Sequence, residues 1–193
     1  MMVFFMPYLR KFKFYWGLLL LIGLSTPLFA ASEGIQIKSA ELKQVEDVYY
    51  LDAQLKVTLS PLLEEAIIKG VSLYFITDFE FARPRWYWWN EDLAHITRVT
   101  RLSYNALLRQ YLVSGVNIHA RSVDRLDDAL LLLGEVDDWP VIARDRLSTH
   151  EVYQATLSMR LDTSQLPKPL QINAIATGKW ELESTPLVWT MTP

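Results

Sequence analysis

The segment Arg83-Pro84-Arg85-Trp86-Tyr87-Trp88-Trp89 carries the residue types best suited to binding chemistry. Two guanidinium groups precede four consecutive aromatic rings. In an extended backbone Trp86 and Trp88 point to one side, Tyr87 and Trp89 to the other. Such rings have two uses. They fill a core on one side and lie under a loop or helix on the other, with indole N–H groups finding partners. Or they form a platform on which sugar rings or a partner's side chains stack, with Arg83 and Arg85 laid against them as cation–π partners. The first use is the commoner one for large aromatics. Pro84 cannot donate to a ladder, which predicts an edge or a bulge at this strand, and an edge is where a further chain can add. Arg83, Arg85, Trp86, Tyr87, Trp88 and Trp89 are therefore the candidate ligand- or partner-binding residues.

Acid–base and metal chemistry is sparse. His95, His119 and His150 are widely spaced and form no H-x-x-x-H or H-x-H pair, so no metal site is expected. Asp78 and Glu80 share one face of a strand, either as an acid/base pair or, as is usual, on a solvated face. Asp137-Asp138 before Trp139-Pro140 reads as a turn. A nucleophile elbow, a phosphate-binding loop and a dinucleotide fingerprint are all missing. No catalytic residue and no cofactor are expected. The remaining catalytic reading is an unrecognised hydrolase, built from separated acids and histidines that converge in a pocket.

The N-terminus addresses location. Arg10, Lys11 and Lys13 precede an uncharged run from Phe14 to Ser32 that ends in Ala30-Ala31. A basic start, an apolar stretch and a small-residue exit predict an export signal over residues 1–31. The core Phe14–Leu24 is short for a membrane span, and Ser25-Thr26-Pro27 breaks it. Cleavage after Ala30 places Leu28 where a small residue is preferred, so the same run also reads as a retained inner-membrane anchor over residues 14–32. Either way the remainder, 32–193, is expected in the periplasm as one domain.

All 22 acidic residues but only 16 of the 19 basic ones follow the leader, leaving the exported part at net charge −6. That argues against nucleic-acid binding, which needs basic clusters. Cysteine is absent, so neither a disulfide nor a lipidated N-terminal cysteine is available. Stability must come from apolar burial, and about 160 residues suffice for one core.

Period-two alternation dominates. Tyr49, Leu51, Ala53, Leu55, Val57 and Leu59 alternate with Tyr50, Asp52, Gln54, Lys56 and Thr58, as a strand buried on one face requires. The same holds for 151–162 and for 71–82. Strands are also predicted at 35–42 before a Glu46-Asp47 turn, at 96–104 and 109–113 around Asn105, and at 179–182 and 187–191. Ser60-Pro61 begins one helix and Gly70 ends it. A second runs from Ser122 to Leu133, burying Val123, Leu126, Ala129, Leu130 and Leu133, with Gly134 at its C′ position. Leu166-Pro167-Lys168-Pro169-Leu170 reads as an extended connector. The fold class is mainly β: an antiparallel β-sandwich-like domain with two short helices behind an N-terminal signal or anchor helix.

The aromatic run, the preceding Leu73–Glu80 strand, Leu161-Asp162-Thr163-Ser164-Gln165-Leu166-Pro167-Lys168-Pro169 and the terminal Trp189-Thr190 resemble the exported bacterial proteins of domain of unknown function 4390, also described as proline-rich signal peptide proteins. The resemblance spans nearly all of the chain after the leader. It implies a proteobacterial periplasmic location and, by association alone, a membrane histidine kinase as partner. It supplies no catalytic residues. The expected function is a non-catalytic binding or interaction module, accessory to an envelope signalling system. The alternative is a carbohydrate- or peptidoglycan-binding domain using Trp86 and Trp88.

Overall fold

A computed structural model describes residues 33–85, 91–116, 118–177 and 180–193. The leader and the aromatic run Trp86–Trp89 lie outside the described residues. So do the predicted faces of that run.

The chain opens with a long hairpin, β1 (Gly34–Val45) and β2 (Val48–Thr58), turning at Glu46 with φ 52. Next come α1 (Pro61–Ile68), β3 (Leu73–Arg83), β4 (Glu91–Asn105), β5 (Gln110–Gly115) and β6 (Ile118–Val123). They are followed by α2 (Leu126–Leu133), β7 (Glu135–Ala143), β8 (Tyr153–Leu161), α3 (Lys168–Thr177) and β9 (Leu187–Met191). One sheet has the order β1-β2-β7 and the other β6-β5-β4-β3-β8-β9. Every neighbouring pair is antiparallel.

Alternation does the sorting. Tyr49, Leu51, Ala53, Leu55 and Val57 of β2 are buried, as are Leu73, Phe75, Thr77, Phe79 and Phe81 of β3 and Tyr153, Ala155, Leu157, Met159 and Leu161 of β8. These faces form one apolar core between the sheets. Aromatic contacts cross it: Phe81 stacks on Tyr153 at 5.4 Å between centroids, and Phe79 meets the edge of Trp139 at 6.5 Å. The fold is thus mainly β, two antiparallel sheets face to face.

α1 begins as its sequence predicts. The Ser60 hydroxyl accepts from the Leu63 N–H at 3.3 Å, and Pro61 occupies the first turn. α2 starts at Leu126, later than expected, because Ser122 and Val123 extend β6 and pair with Leu112 and Tyr111. Its stripe survives, with Ala129 and Leu133 buried and Leu126 and Leu130 against the core. Gly134 has φ −84, so freedom at positive φ is not what the position needs. A Cβ there would stand 1.9 Å from the Leu55 carbonyl oxygen. Glycine is required by close approach of the α2–β7 junction to β2, cemented by a Leu55 N–H···O=C Gly134 bond of 2.8 Å.

Three expectations give way. Lys168 starts a third helix, α3, so the extended connector ends at Pro167, and Pro169 sits in the first turn, where its missing N–H costs nothing. Asp137-Asp138 is not a turn between elements but a kink inside β7. The β2–β7 register slips between Leu51 and Ala53, and Asp138 takes φ 46. Finally, Glu181 and Leu182 form no strand; Glu183 and Ser184 make isolated bridges to Arg160 and Ile35.

Candidate functional site

The predicted binding segment lies in the β3–β4 connection. β3 is an interior strand between β4 and β8, not an edge, and Pro84 follows its last ladder residue, Arg83, which pairs with Glu91. The edge expectation fails but the bulge holds: the β3–β4 register shifts between Phe81 and Ala82, and the proline then ends the strand. Trp86, Tyr87, Trp88 and Trp89 are outside the described residues. Arg83 and Arg85 are within them, and their guanidinium groups turn to carboxylates. Arg83 donates to both oxygens of Glu151 at 2.7 and 2.5 Å and also to Glu91, while Arg85 donates to Glu91 at 2.5 Å. The Tyr153 hydroxyl donates to Glu151 at 3.1 Å. Hydrogen bonds from Arg83 hold Glu91 and Glu151 below the usual carboxylate range, with Arg85 adding to the effect at Glu91. This network ties the end of β3 to the start of β4 and to the approach to β8.

The histidines separate. His95 lies 3.7 Å from Asp78, whose carboxylate also accepts from the Thr97 hydroxyl at 2.7 Å and from Arg160 at 3.5 Å. All four sit on the outer face of the larger sheet, opposite the buried alternation of β3. Asp78 thus joins a solvated polar face, as its type and phase predict. His150 is exposed ahead of β8. Among the described residues no group of three His, Asp or Glu is placed to hold a metal ion.

A different set of residues converges. Residues of β7 and of β4–β6 line a cleft of about 910 Å³. β4–β6 contribute Ile96, Arg98, Val113, His119 and Arg121. The α2 end and β7 contribute Leu132, Glu135, Asp137, Asp138, Trp139 and Pro140. Trp139 is half-buried, its ring against Phe79 in the core.

The electrostatics are divided between the walls. Arg121 pairs with Glu135 at 3.2 Å. Arg98, half-buried, makes neither a hydrogen bond nor an ion pair among the described residues, although it carries five donors. Burial pulls its guanidinium down from the ordinary value while Asp137 pulls the other way. Partial desolvation, then Glu135, Asp52 and Asp138, push the Asp137 carboxyl above its usual range, with Arg98 opposing. The β7 kink fixes this arrangement. The Asp52 carboxylate accepts from the Asp138 N–H at 2.8 Å and from Lys43 at 2.5 Å, pinning the residue at positive φ. Asp and Asn tolerate that conformation better than most residues.

One sequence signal marks Arg98. Along β4 it is in phase with Ile96, Thr100 and Leu102, opposite buried Thr77, so it occupies the inward side of an alternating strand. A charge in an apolar phase is the informative exception. Asp137 and Asp138 gave no such signal, because a bulge and a turn use the same residues.

No curated protein and no solved structure matches the chain. A family model described as a domain of unknown function (DUF4390) matches residues 32–190, and the chain belongs to that family.

Proposed function

We propose that this domain is an envelope binding module, exported by its leader, whose ligand enters the cleft between β7 and β4–β6. The carrying observation is Arg98, a half-buried cation with no hydrogen-bond or ion-pair partner among the described residues. Such a group favours a carboxylate that accepts two parallel N–H bonds. The facing Asp137 and Asp138 suit an amine or hydroxyl on the same ligand, and Trp139 offers an apolar flank. A ligand carrying both signs of charge, as a peptide terminus does, satisfies both walls. Strand addition to β7 is not the mode, because Pro140 lacks a donor and the kink at Asp138 interrupts the ladder.

The peptidoglycan reading moves with the geometry. Its support is Trp139 in the cleft, since muropeptides combine sugar rings, stem carboxylates and an amine. One experiment addresses both readings. Wild type and Arg98→Met are compared in pull-downs from crosslinked envelopes and in titrations with purified muropeptides. Capture of one partner, or saturable muropeptide binding, lost in Arg98→Met with unchanged unfolding, is the expected result. Binding by both proteins alike refutes the role of the cleft.

A further inference from the structure

Four exposed apolar side chains share one end of the domain. Leu107 is 95% exposed and Leu108 66%, both in the β4–β5 turn, while Leu62 at 38% and Ile68 at 57% lie on α1. Chain connectivity brings them together. α1 joins Thr58 at the end of β2 to Leu73 at the start of β3, and Leu73 pairs with Leu102. The remainder of β4 and its turn therefore project past β3 beside α1. Tips of hairpins ordinarily carry Gly, Asn, Asp or Ser. Here the Asn105 side chain accepts from the N–H groups of Leu107 and Leu108 at 3.0 and 3.1 Å, which fixes the turn with both leucines outward.

The domain's first strand enters at the same end: Gly34 pairs with Thr58. Residues 1–32 precede it, and their uncharged run from Phe14 stops at Ser32, two residues before β1. The β4–β5 turn itself, from Asn105 to Gln110, is free of acids, although Glu64 and Glu65 of α1 and Asp124 beside Gln110 lie behind it. Exposed Arg109 makes no ion pair among the described residues.

We propose that this end rests on the lipid surface from which the chain emerges, with Leu107 and Leu108 in the headgroup–acyl boundary and Arg109 at the lipid phosphates. A pair of leucines contributes modest attraction alone, but a membrane-held leader makes the contact intramolecular. The inference rests on residues 14–32 staying in the bilayer, and the test separates the two.

The chain has no cysteine, so a single introduced one reports cleanly. Full-length Ala106→Cys and Asp47→Cys proteins carry an environment-sensitive nitrobenzoxadiazole dye and are reconstituted in phosphatidylethanolamine–phosphatidylglycerol vesicles. Asp47 lies in the opposite turn, roughly 35–40 Å along β1 at the rise of an extended strand. Flotation with the vesicles, blue-shifted emission at position 106 and several-fold slower dithionite reduction there than at 47 are expected. Adding Leu107→Asp and Leu108→Asp should abolish the difference while flotation persists. Flotation with equal reduction at both positions overturns the surface contact alone. Failure to float overturns the retained leader and the contact with it. Neither result bears on the Arg98 cleft.

Discussion

Gly134→Ala isolates the contact that places one wall of the cleft. The added Cβ would stand 1.9 Å from the Leu55 carbonyl oxygen and 2.9 Å from its carbon. Ordinary contact begins near 3.4 Å, so the α2–β7 junction must withdraw by about 1.5 Å. Backbone stands on both sides, and no rotamer relieves it. The same withdrawal stretches the 2.8 Å Leu55 N–H···O=C Gly134 bond beyond hydrogen-bonding range. Overpacking of this kind costs about 1–3 kcal/mol, and stranding a buried donor and acceptor costs about 1–3 kcal/mol more. Alanine's better helix propensity returns at most about 1 kcal/mol. The expected loss is therefore about 3 kcal/mol, a large share of a typical ~5–15 kcal/mol margin. Urea unfolding followed by circular dichroism should show a lower midpoint at unchanged slope. Gly70→Ala is the control: φ is +89 and nothing lies within 4 Å, so only backbone strain of roughly 1 kcal/mol applies. A Gly134→Ala protein within about 0.5 kcal/mol of wild type, or one less affected than Gly70→Ala, would refute the close-approach account.

Leu55→Asp should unfold the domain, because Leu55 is 5% exposed and a buried unpaired charge removes much of the ~5–15 kcal/mol margin. Gln54→Asp, on the opposite face of β2, should stay within about 0.5 kcal/mol; equal midpoints would show the faces misassigned. Asp137→Asn should raise the melting temperature slightly at pH 7. The carboxyl's raised pKa means that its ionised form is disfavoured on folding, so the gain fades as pH falls through that range; a drop at pH 7 would contradict this. Glu91 and Glu151 act with the opposite sign. Their lowered pKa values contribute stability above the ordinary Glu value of 4.5, and it is lost as pH falls through the folded values. Arg83→Met should accordingly melt below wild type at pH 7, with the gap closing toward pH 2–3; a constant gap would sink the ion-pair explanation.

The strands of the core were legible because one physical requirement writes them. A face that packs on another sheet must repeat every second residue, and Tyr49–Leu59 and Tyr153–Leu161 do so without interruption. α1 was legible because its cap is local, three residues from Ser60 to Leu63. The misread segments share a cause: their conformation is decided by distant partners. Ser122 and Val123 have helical company in sequence but a strand partner in β5. Pro167–Leu170 has the composition of a connector, yet Pro169 is also admissible in a helix's first turn. Asp137-Asp138 carries the same residues that a turn would, and only the pairing of flanking Val136 and Trp139 with Ala53 and Leu51 of β2 turns it into a kink. Gly134 was placed correctly for the wrong reason, since a C′ glycine and a glycine under a crossing backbone look identical in one dimension.

The candidate cleft was harder to read than the fold because it is made by phase and not by composition. Four successive aromatics draw the eye to the β3–β4 connection, where Arg83 and Arg85 prove to be engaged with Glu91 and Glu151. Arg98 stands in unremarkable company, but every second residue around it faces inward. An apolar face packed on another sheet has no use for a charge in that phase. Sequences that specify one structure agree across levels, and the places where they break a local rule tend to be functional. Arg98 breaks the alternation, and Asp138 breaks the ladder. Both departures line one cavity, and the binding role proposed for the cleft rests on that shared placement.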